Sequence, residues 1–271
     1  MRHLALTTWS LHRKLGSPPM IALPDEDSGS APQAELKLTD VPQRIQEYGI
    51  GTLEICHFHF PSVSPDYLRS LRTAIETAGV ELFSILIDTG DISHPDPRRR
   101  EADIRLIERW MEIAAALGAR AVRVVAGEAA PDDEAALRRA TASLEHLAGR
   151  GRKLGLQVLT ENFRPLASTA ANCIRILDAL DGAVGLCADV GNFPDASRVS
   201  EFKAVVERAS SVHAKASYDA DGRMDPRQLR ECLAASVDAG FDGPYTLVYD
   251  QPGDAWQGIV ELREVVSPYL Q

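Results

Sequence analysis

The sequence predicts an α/β fold built as one (β/α)8 barrel, and three observations lead to that prediction. An amphipathic helix, a glycine and an apolar strand follow one another repeatedly along the chain. The strands are short and mostly apolar without alternation, as expected where both faces of a parallel sheet are covered. The length of 271 residues suits a single barrel of about 250 residues. We therefore expect one domain over residues 1–271.

The glycines mark where the helices end. A helix commonly ends with a residue in the left-handed conformation, which glycine adopts without a Cβ clash. A short connection to the next strand is typical of repeated βα units. The glycines that occupy this position are Gly49, Gly79, Gly118, Gly155, Gly182 and Gly240. Six such boundaries indicate a repeating architecture.

The apolar runs between these boundaries are predicted as strands, and helices are expected between them and after the last. The eight predicted strands are 4–8, 52–57, 82–88, 121–126, 156–161, 184–189, 211–215 and 245–250. In the helix predicted from 98, Ile104, Ile107 and Met111 recur at helical spacing. A doubly wound open sheet is the alternative, but the first turn after a strand lacks the G-x-G-x-x-G phosphate loop.

One long irregular segment, from Gly16 to Leu38, is rich in Pro, Ser and Asp. It follows the first strand, so we expect it over the mouth formed by the carboxyl ends of the strands, as a lid or substrate loop. A surface insertion without a role is the alternative interpretation.

The charge balance argues against nucleic acid as the main partner. Lys and Arg number 29 and Asp and Glu 39, so the net charge is −10 and the field repels polyanions but suits a cation.

The four cysteines show no C-x-x-C spacing, and we expect them to be reduced thiols packed in the interior. No long apolar stretch indicates a signal peptide or a membrane span, which predicts a cytoplasmic protein.

Polar residues stand at the ends of the predicted strands, where barrel enzymes carry their chemistry. These residues are Glu54, His57, Asp88, Glu128, Glu161, Asn162, Asp189, Asn192, His213, Lys215 and Asp250. Glu161, Asp189 and His213 end three successive strands, and this mixed oxygen and nitrogen set suits Mn²⁺, Co²⁺, Zn²⁺ or Mg²⁺. The alternative for each residue alone is a packed histidine or a carboxylate that caps the next helix.

Three further residues are predicted substrate contacts. Trp9 follows the first strand and could stack on a sugar face, although core tryptophans are common. Arg164 follows the fifth strand and could bind a phosphate or carboxylate, or simply lie on the surface. His57 ends the second strand and could line the pocket or pack beneath a loop.

The motifs at strands five to seven resemble those of the xylose isomerase-like TIM barrel superfamily, the sugar isomerase and epimerase group that also includes endonuclease IV. They are Thr160-Glu161-Asn162, the run ADVGN at 188–192, and VHAK at 212–215. The segments GIGTLEICH at 49–57 and GFDGPYTLVYD at 240–250 are similar to the second strand and the last helix-to-strand segment of the family.

The resemblance implies roles for individual residues. Glu161, Asp189 and His213 match three of the four side chains that hold one divalent cation. Lys215 matches a lysine near substrate oxygens, Asn192 a substrate contact, and Glu54 a glutamate near the pocket.

The chain also departs from the family pattern. Val248 stands where most members have a fourth ligand, a glutamate on the eighth strand that pairs with the fifth-strand glutamate in proton transfer. Asp250, two residues on and thus on the same strand face, is our predicted fourth ligand. Ala216 and Ser217 stand where an aspartate often follows the lysine.

The predicted function is a metal-dependent isomerase or epimerase that acts on a small sugar or related polyhydroxy carbonyl compound through an enediolate. Glu161 would remove the proton next to the carbonyl, and Lys215 would neutralise the oxyanion. Two alternatives stay open: a dehydratase or lyase that uses the same cation, and a degenerate barrel that binds a sugar or a protein without catalysis.

The endonuclease branch needs more strand-end histidines than this chain has. The expected partner is a small carbohydrate, with no nucleic acid and no membrane, and a homodimer is compatible with a barrel of this type.

Overall fold

A closed barrel of eight parallel strands forms the centre of the protein in a computed structural model that describes residues 1–16 and 34–270. The barrel strands are β1 His3–Thr7, β2 Thr52–Cys56, β3 Glu81–Ile87, β4 Ala121–Val124, β5 Gln157–Glu161, β6 Gly185–Asp189, β7 Ala209–Ala214 and β10 Pro244–Leu247. A small antiparallel pair, β8 Ser217–Tyr218 and β9 Met224–Asp225, follows β7. The last barrel strand pairs with the first and closes the sheet. The predicted barrel is therefore confirmed.

Helices cover the outside of the barrel. They are α1 His12–Leu15, α2 Val41–Glu47, α3 Pro65–Thr77, α4 Pro97–Leu117, α5 Glu134–Leu154, α6 Ala170–Leu180, α7 Arg198–Val205, α8 Arg227–Asp238 and α9 Ala255–Val266. Short polar side chains begin several of them: Asp96 accepts a hydrogen bond from the amide of Arg98, and Asp133 accepts one from Ala136. Gly118 and Gly155 end the two longest helices with φ of +80° and +74°, as the glycine pattern predicted.

The strands lie where they were predicted, with one consequential difference at the carboxyl end of β10. The prediction ran to residue 250, but the strand ends at Leu247. The hydroxyl of Ser10 donates to the carbonyl of Leu247 at 3.1 Å and accepts the amide of Tyr249 at 2.9 Å. Because this hydroxyl takes the backbone bonds that a further strand pairing would use, the chain leaves the sheet before Asp250.

The main core lies between the barrel and its helices, and Trp110 on α4 is among its largest fully buried side chains. A separate small cluster of Phe83, Ala121 and Leu159 fills the barrel interior. The four cysteines are buried free thiols, as predicted. In the part of the chain that the structure describes, we find no helix with the length and apolarity that crossing a membrane requires. Most of the predicted lid, residues 17–33, lies outside the described residues.

Candidate active site

A cavity of about 430 Å³ lies at the carboxyl ends of the barrel strands. All eight barrel strands, or the segments that directly follow them, contribute to its wall. Its lining residues are Thr7, Trp9, Cys56, Phe58, Leu86, Asp88, Arg123, Glu161, Phe163, Arg164, Asp189, Asn192, His213, Lys215 and Val248.

Glu161, Asp189 and His213 come together on one side of the cavity. The register pairs Asp189 with His213 across β6 and β7, so the two side chains point to the same face. The His213 Nδ1 atom lies 3.5 Å from Asp189 Oδ2 and 3.8 Å from Glu161 Oε1. All three side chains are buried. The structure thus assembles the three residues that the sequence predicted as ligands.

Glu54 lies behind this group rather than on the cavity surface. The Nε2–H of His213 donates to Glu54 Oε2 at 2.8 Å, and Glu54 has no exposed surface. With Nε2 engaged in this way, Nδ1 faces the carboxylates of Glu161 and Asp189. A carboxylate that holds the far nitrogen of a histidine is the usual support of a metal-binding imidazole. Glu54 was predicted as a substrate contact, and the structure places it as the partner of His213.

The charge of the cluster favours a divalent cation. Asp88 and Glu161 form ion pairs with Arg123, and the carboxylates of Glu54 and Asp189 contact His213. Ligand atoms of Glu161 and His213 also lie within 4.8 Å of one another and of the Cys187 thiol. Buried carboxylates are costly without positive partners, and a bound cation is such a partner. The residues therefore fit a divalent cation held by Glu161, Asp189 and His213.

Proton affinities in the cluster are displaced from their ordinary values. Burial raises the pKa of Glu161 to about 7, even though the guanidinium of Arg123 lowers it. Burial also raises the pKa of Cys187 to about 11, so this thiol stays protonated at neutral pH. A carboxyl group with a pKa near neutrality is suited to proton transfer.

Arg123, which the sequence analysis missed, ties the two sides of the cluster together. Its side chain points into the barrel from β4, is 4% exposed, and forms ion pairs with Asp88 and, through Nε at 2.8 Å, with Glu161 Oε2. The pKa of Asp88 is lowered overall: burial raises it, and Arg123 more than offsets this. The sequence signal that could have found Arg123 is a single charged residue inside the apolar run AVRVVA at 121–126. Side chains alternate between the two faces of a strand, and this position faces the barrel interior.

Two asparagines hold the acidic residues in place. Asn192 donates from Nδ2 to Glu161 Oε1 at 2.9 Å. Asn162 bonds both backbone groups of Asp189, with distances of 2.8 Å to its carbonyl and 2.7 Å from its amide. The amide of Gly191 donates to Asp189 Oδ1 at 2.6 Å, which leaves Oδ2 on the side of His213. The ends of β5 and β6 are therefore locked together.

Lys215 reaches the cavity but Asp250 does not line it. The Lys215 Nζ atom lies 2.6 Å from Asp250 Oδ2, and this pair stands beside the cluster. Asp250 is therefore placed as the partner of Lys215 instead of the predicted fourth ligand, because β10 ends at Leu247 and turns Asp250 out of the strand face. Val248 occupies the cavity wall in its place. A Cβ atom at Gly191 would lie 2.5 Å from Lys215 Cδ, so the glycine leaves room for the lysine.

The remaining predicted contacts divide into two groups. Trp9 lines the cavity and meets Phe58 edge-on, with ring centroids 6.0 Å apart. Arg164 lines it as well, with φ of +65° and its guanidinium 4.9 Å from the Phe163 ring. His57 is fully buried behind the wall, where its Nδ1 accepts the amide of Asp88 at 3.2 Å. Burial lowers the pKa of His57 to about 4, which keeps the ring neutral.

Comparison with known proteins identifies the family. Residues 42–264 match the sequence model of the xylose isomerase-like TIM barrel. The chain belongs to this family. The match confirms the resemblance that the strand-end motifs indicated. A search of curated proteins finds no match.

Solved structures share the barrel of this xylose isomerase-like chain over its whole length. An L-ribulose 3-epimerase has 14% identity and a TM-score of 0.76, with 100% of this chain and 95% of that chain covered. The IolI protein with a bound zinc atom has 17% identity and a TM-score of 0.74, over 98% and 99% of the two chains. A xylose isomerase-like protein from Mycobacterium smegmatis in complex with magnesium has 18% identity and a TM-score of 0.70, over 99% and 98%. At these identities the similarity shows the fold.

Proposed function

We propose that this chain is a divalent-metal-dependent isomerase or epimerase of a small sugar or related polyhydroxy carbonyl compound. The observation that carries the proposal is the convergence of Glu161, Asp189 and His213 at the cavity, with Glu54 fixing the imidazole. Support comes from the family and from similar structures whose names state epimerase activity on L-ribulose and D-psicose. Two others hold magnesium or zinc.

A cation bound by these three residues would supply a Lewis acid that polarises the substrate carbonyl. Its identity among Mn²⁺, Co²⁺, Zn²⁺ and Mg²⁺ is open, since the donor set accepts each of them. Val248 adds no ligand, so substrate or water oxygens would complete the coordination. The cavity of about 430 Å³ is large enough for a small sugar.

Glu161 is the proposed base. Arg123 holds its Oε2 atom, so Oε1, oriented by Asn192, is the atom that would take the proton next to the carbonyl. The resulting negative charge develops on substrate oxygens to form an enediolate. Lys215, held by Asp250 at 2.6 Å, would neutralise that charge. Trp9 and Arg164 are proposed to contact the substrate from the wall of the cavity.

A lyase or dehydratase is the second candidate, and Val248 is the observation that favours it. Elimination needs a base that forms an enolate, which Glu161 supplies, but no second carboxylate on the eighth strand. Dehydration creates an ultraviolet chromophore and isomerisation alone does not, so product spectra separate the two. A barrel that only binds is disfavoured, because four buried carboxylates are costly to maintain without a function.

The expected partners follow from the same reasoning. A small carbohydrate is the proposed ligand, while the net charge of −10 disfavours nucleic acid. A cytoplasmic location and a homodimer stay predictions.

Metal content tests the proposal first. Protein purified without a metal-binding tag is analysed by mass spectrometry beside Asp189→Asn, with Glu128→Gln as a control at a half-exposed carboxylate near the cavity mouth. We expect near one divalent ion per chain in the wild type and in Glu128→Gln, and its loss in Asp189→Asn. Absence of metal after incubation with each of the four ions would overturn the metal-dependent function.

Activity tests the base. Wild type and Glu161→Gln are assayed with L-ribulose, D-psicose, D-tagatose and D-fructose under saturating metal. Glu161→Gln is expected to abolish turnover, because an amide cannot accept the proton. Near-normal activity in this variant would remove Glu161 from the mechanism.

A further inference from the structure

The permanent cations of the cavity wall differ in how fully their partners engage them. Arg123 forms ion pairs with two buried carboxylates, and Lys215 Nζ lies 2.6 Å from Asp250. Arg164 is different, because its Nε–H has no hydrogen-bond partner among the described residues. The carboxylate of Glu128 lies 3.3 Å from this Nε atom. Since a guanidinium group carries five N–H donors, Arg164 keeps donors for a ligand.

Glu128 does not saturate this arginine. Its side chain is 50% exposed, and it is not among the residues that line the cavity. Exposed ion pairs contribute little to stability, because water competes for both charges. An anion on the cavity side can therefore bind Arg164 without displacing a strong contact.

The backbone at Arg164 is strained. Its φ of +65° and ψ of 159° lie in a region that glycine adopts freely and that a Cβ atom disfavours. Pro165 follows and favours an extended ψ in the residue before it. Asn172 holds the next turn by donating from Nδ2 to the carbonyl of Leu166 at 2.8 Å. Residues held in such conformations cluster at ligand-binding positions, so the strain indicates that this side chain has a binding role.

Phe163 places Arg164 next to the proposed base. The guanidinium of Arg164 lies 4.9 Å from the centroid of the Phe163 ring, and that of Arg123 lies 5.7 Å from the same ring. Arg123 in turn holds Glu161. The charge of Arg164 also reaches into the cavity: burial raises the pKa of Asp88, Arg123 lowers it more strongly, and Arg164 adds to the lowering. A ligand bound by Arg164 therefore lies one aromatic ring away from the reacting end of the cavity.

A carboxylate suits this position better than a phosphate does. The planar guanidinium matches the two oxygens of a carboxylate with two parallel hydrogen bonds. A phosphate monoester carries a charge of about −1.5 to −2 and three acceptor oxygens, so it needs more than one cation. The other cations of the wall, Arg123 and Lys215, are already paired with carboxylates.

We propose, on the basis of the function proposed above, that the substrate is a sugar acid whose carboxylate, remote from the reacting carbonyl, is bound by Arg164. The carbonyl end then lies at Glu161 and His213, and the carboxylate end lies beyond Phe163. Two fixed ends orient the substrate for proton transfer, which lowers the entropic cost of reaching the reactive geometry.

Three ketoses that differ only at C6 test this inference. D-fructose carries a hydroxymethyl group there, D-fructuronate a carboxylate and D-fructose 6-phosphate a phosphate ester. Steady-state kinetics of the metal-loaded wild type give kcat/KM for each compound. We expect D-fructuronate to exceed D-fructose by about 10–100-fold, because hydrogen bonds to charged groups are strong enough for a ratio of this size. The difference should lie mainly in KM, since the carboxylate is bound equally in the ground and transition states.

Arg164→Gln removes the charge and the planar fork of donors. We expect it to reduce the ratio of kcat/KM between D-fructuronate and D-fructose to near one. Arg13→Gln is the matched control: Arg13 donates to the backbone carbonyls of Asp250 and Gln251 at the same end of the barrel but does not line the cavity. The ratio should stay at the wild-type value in this control, because a general loss of folding or of positive charge affects both substrates alike.

The outcomes separate the inference from the proposed function. Equal kcat/KM for D-fructose and D-fructuronate, a preference for the phosphate ester, or an unchanged preference in Arg164→Gln would each overturn the inference and leave the isomerase or epimerase function intact. No turnover of these three compounds or of L-ribulose, D-psicose and D-tagatose would overturn the proposed function, and the inference with it.

Discussion

Replacement of Arg123 by methionine is the most informative perturbation of this structure. Methionine fills a similar apolar volume but leaves Asp88 and Glu161 without their shared cation. All three side chains are deeply buried, at 4%, 11% and 4% exposure. Removal of one member of a buried ion pair costs about 3–5 kcal/mol, because the remaining charge stays desolvated and unpaired. We expect a loss of this size in the free energy of unfolding.

A control variant separates the loss of the buried ion pairs from the general effect of replacing an arginine by methionine. Typical domains are stable by about 5–15 kcal/mol, so the expected loss is a large fraction of the total. Arg120, three residues earlier, forms an ion pair with Glu81 at 2.7 Å, but the two side chains are 66% and 36% exposed. Because exposed pairs contribute about 0–1 kcal/mol, Arg120→Met is the matched control.

Urea unfolding followed by circular dichroism, in the presence of a chelator, measures both variants. A double variant, Arg123→Met with Asp88→Asn, removes one of the stranded charges and is expected to recover at least about 1 kcal/mol relative to additivity. If Arg123→Met loses no more stability than Arg120→Met, the ion pairs of the barrel interior do not stabilise the fold.

Three further predictions concern single contacts. Glu54→Gln weakens the hydrogen bond that holds His213, so we expect the metal affinity to fall about 10–100-fold. Chelator competition measures this affinity. An unchanged affinity would show that the imidazole needs no such support. Gly191→Ala places a Cβ atom 2.5 Å from Lys215 Cδ. Because the lysine side chain must then shift, we expect reduced turnover at unchanged metal content. Unchanged turnover would mean that the lysine moves aside freely. Ser10→Ala leaves two backbone groups at the end of β10 without their partner. We expect urea unfolding to show a loss of about 1–3 kcal/mol in the free energy of unfolding. A loss smaller than the error of the measurement would contradict this prediction.

The barrel was predictable because its signals are local. Each glycine that ends a helix, such as Gly118 or Gly155, reports on a backbone conformation that its own neighbours determine. Glu161, Asp189 and His213 were predictable for a related reason. In a parallel barrel the carboxyl ends of all strands meet at one face, so a position at a strand end already implies proximity.

Contacts across the barrel were not predictable in the same way. Glu54 and His213 are 159 positions apart in the chain, and only the closed sheet brings them to 2.8 Å. Arg123 lies within an apolar strand, and its partners come from β5 and from the end of β3. His57 stands at a strand end like the ligands, yet packing against Trp110 holds it behind the cavity.

The sequence by itself determined the class of fold, the order of the strands and the three acidic and imidazole groups at the mouth, since spacing and residue type carry that information. Only the tertiary structure decided how those groups are used. The position of Asp250 depends on a hydroxyl at Ser10, far away in the chain, that ends β10 early. The contact between Glu54 on β2 and His213 on β7 depends on the circular order of the strands. Both are properties of closure, which joins the first strand to the last and which no local stretch of sequence contains.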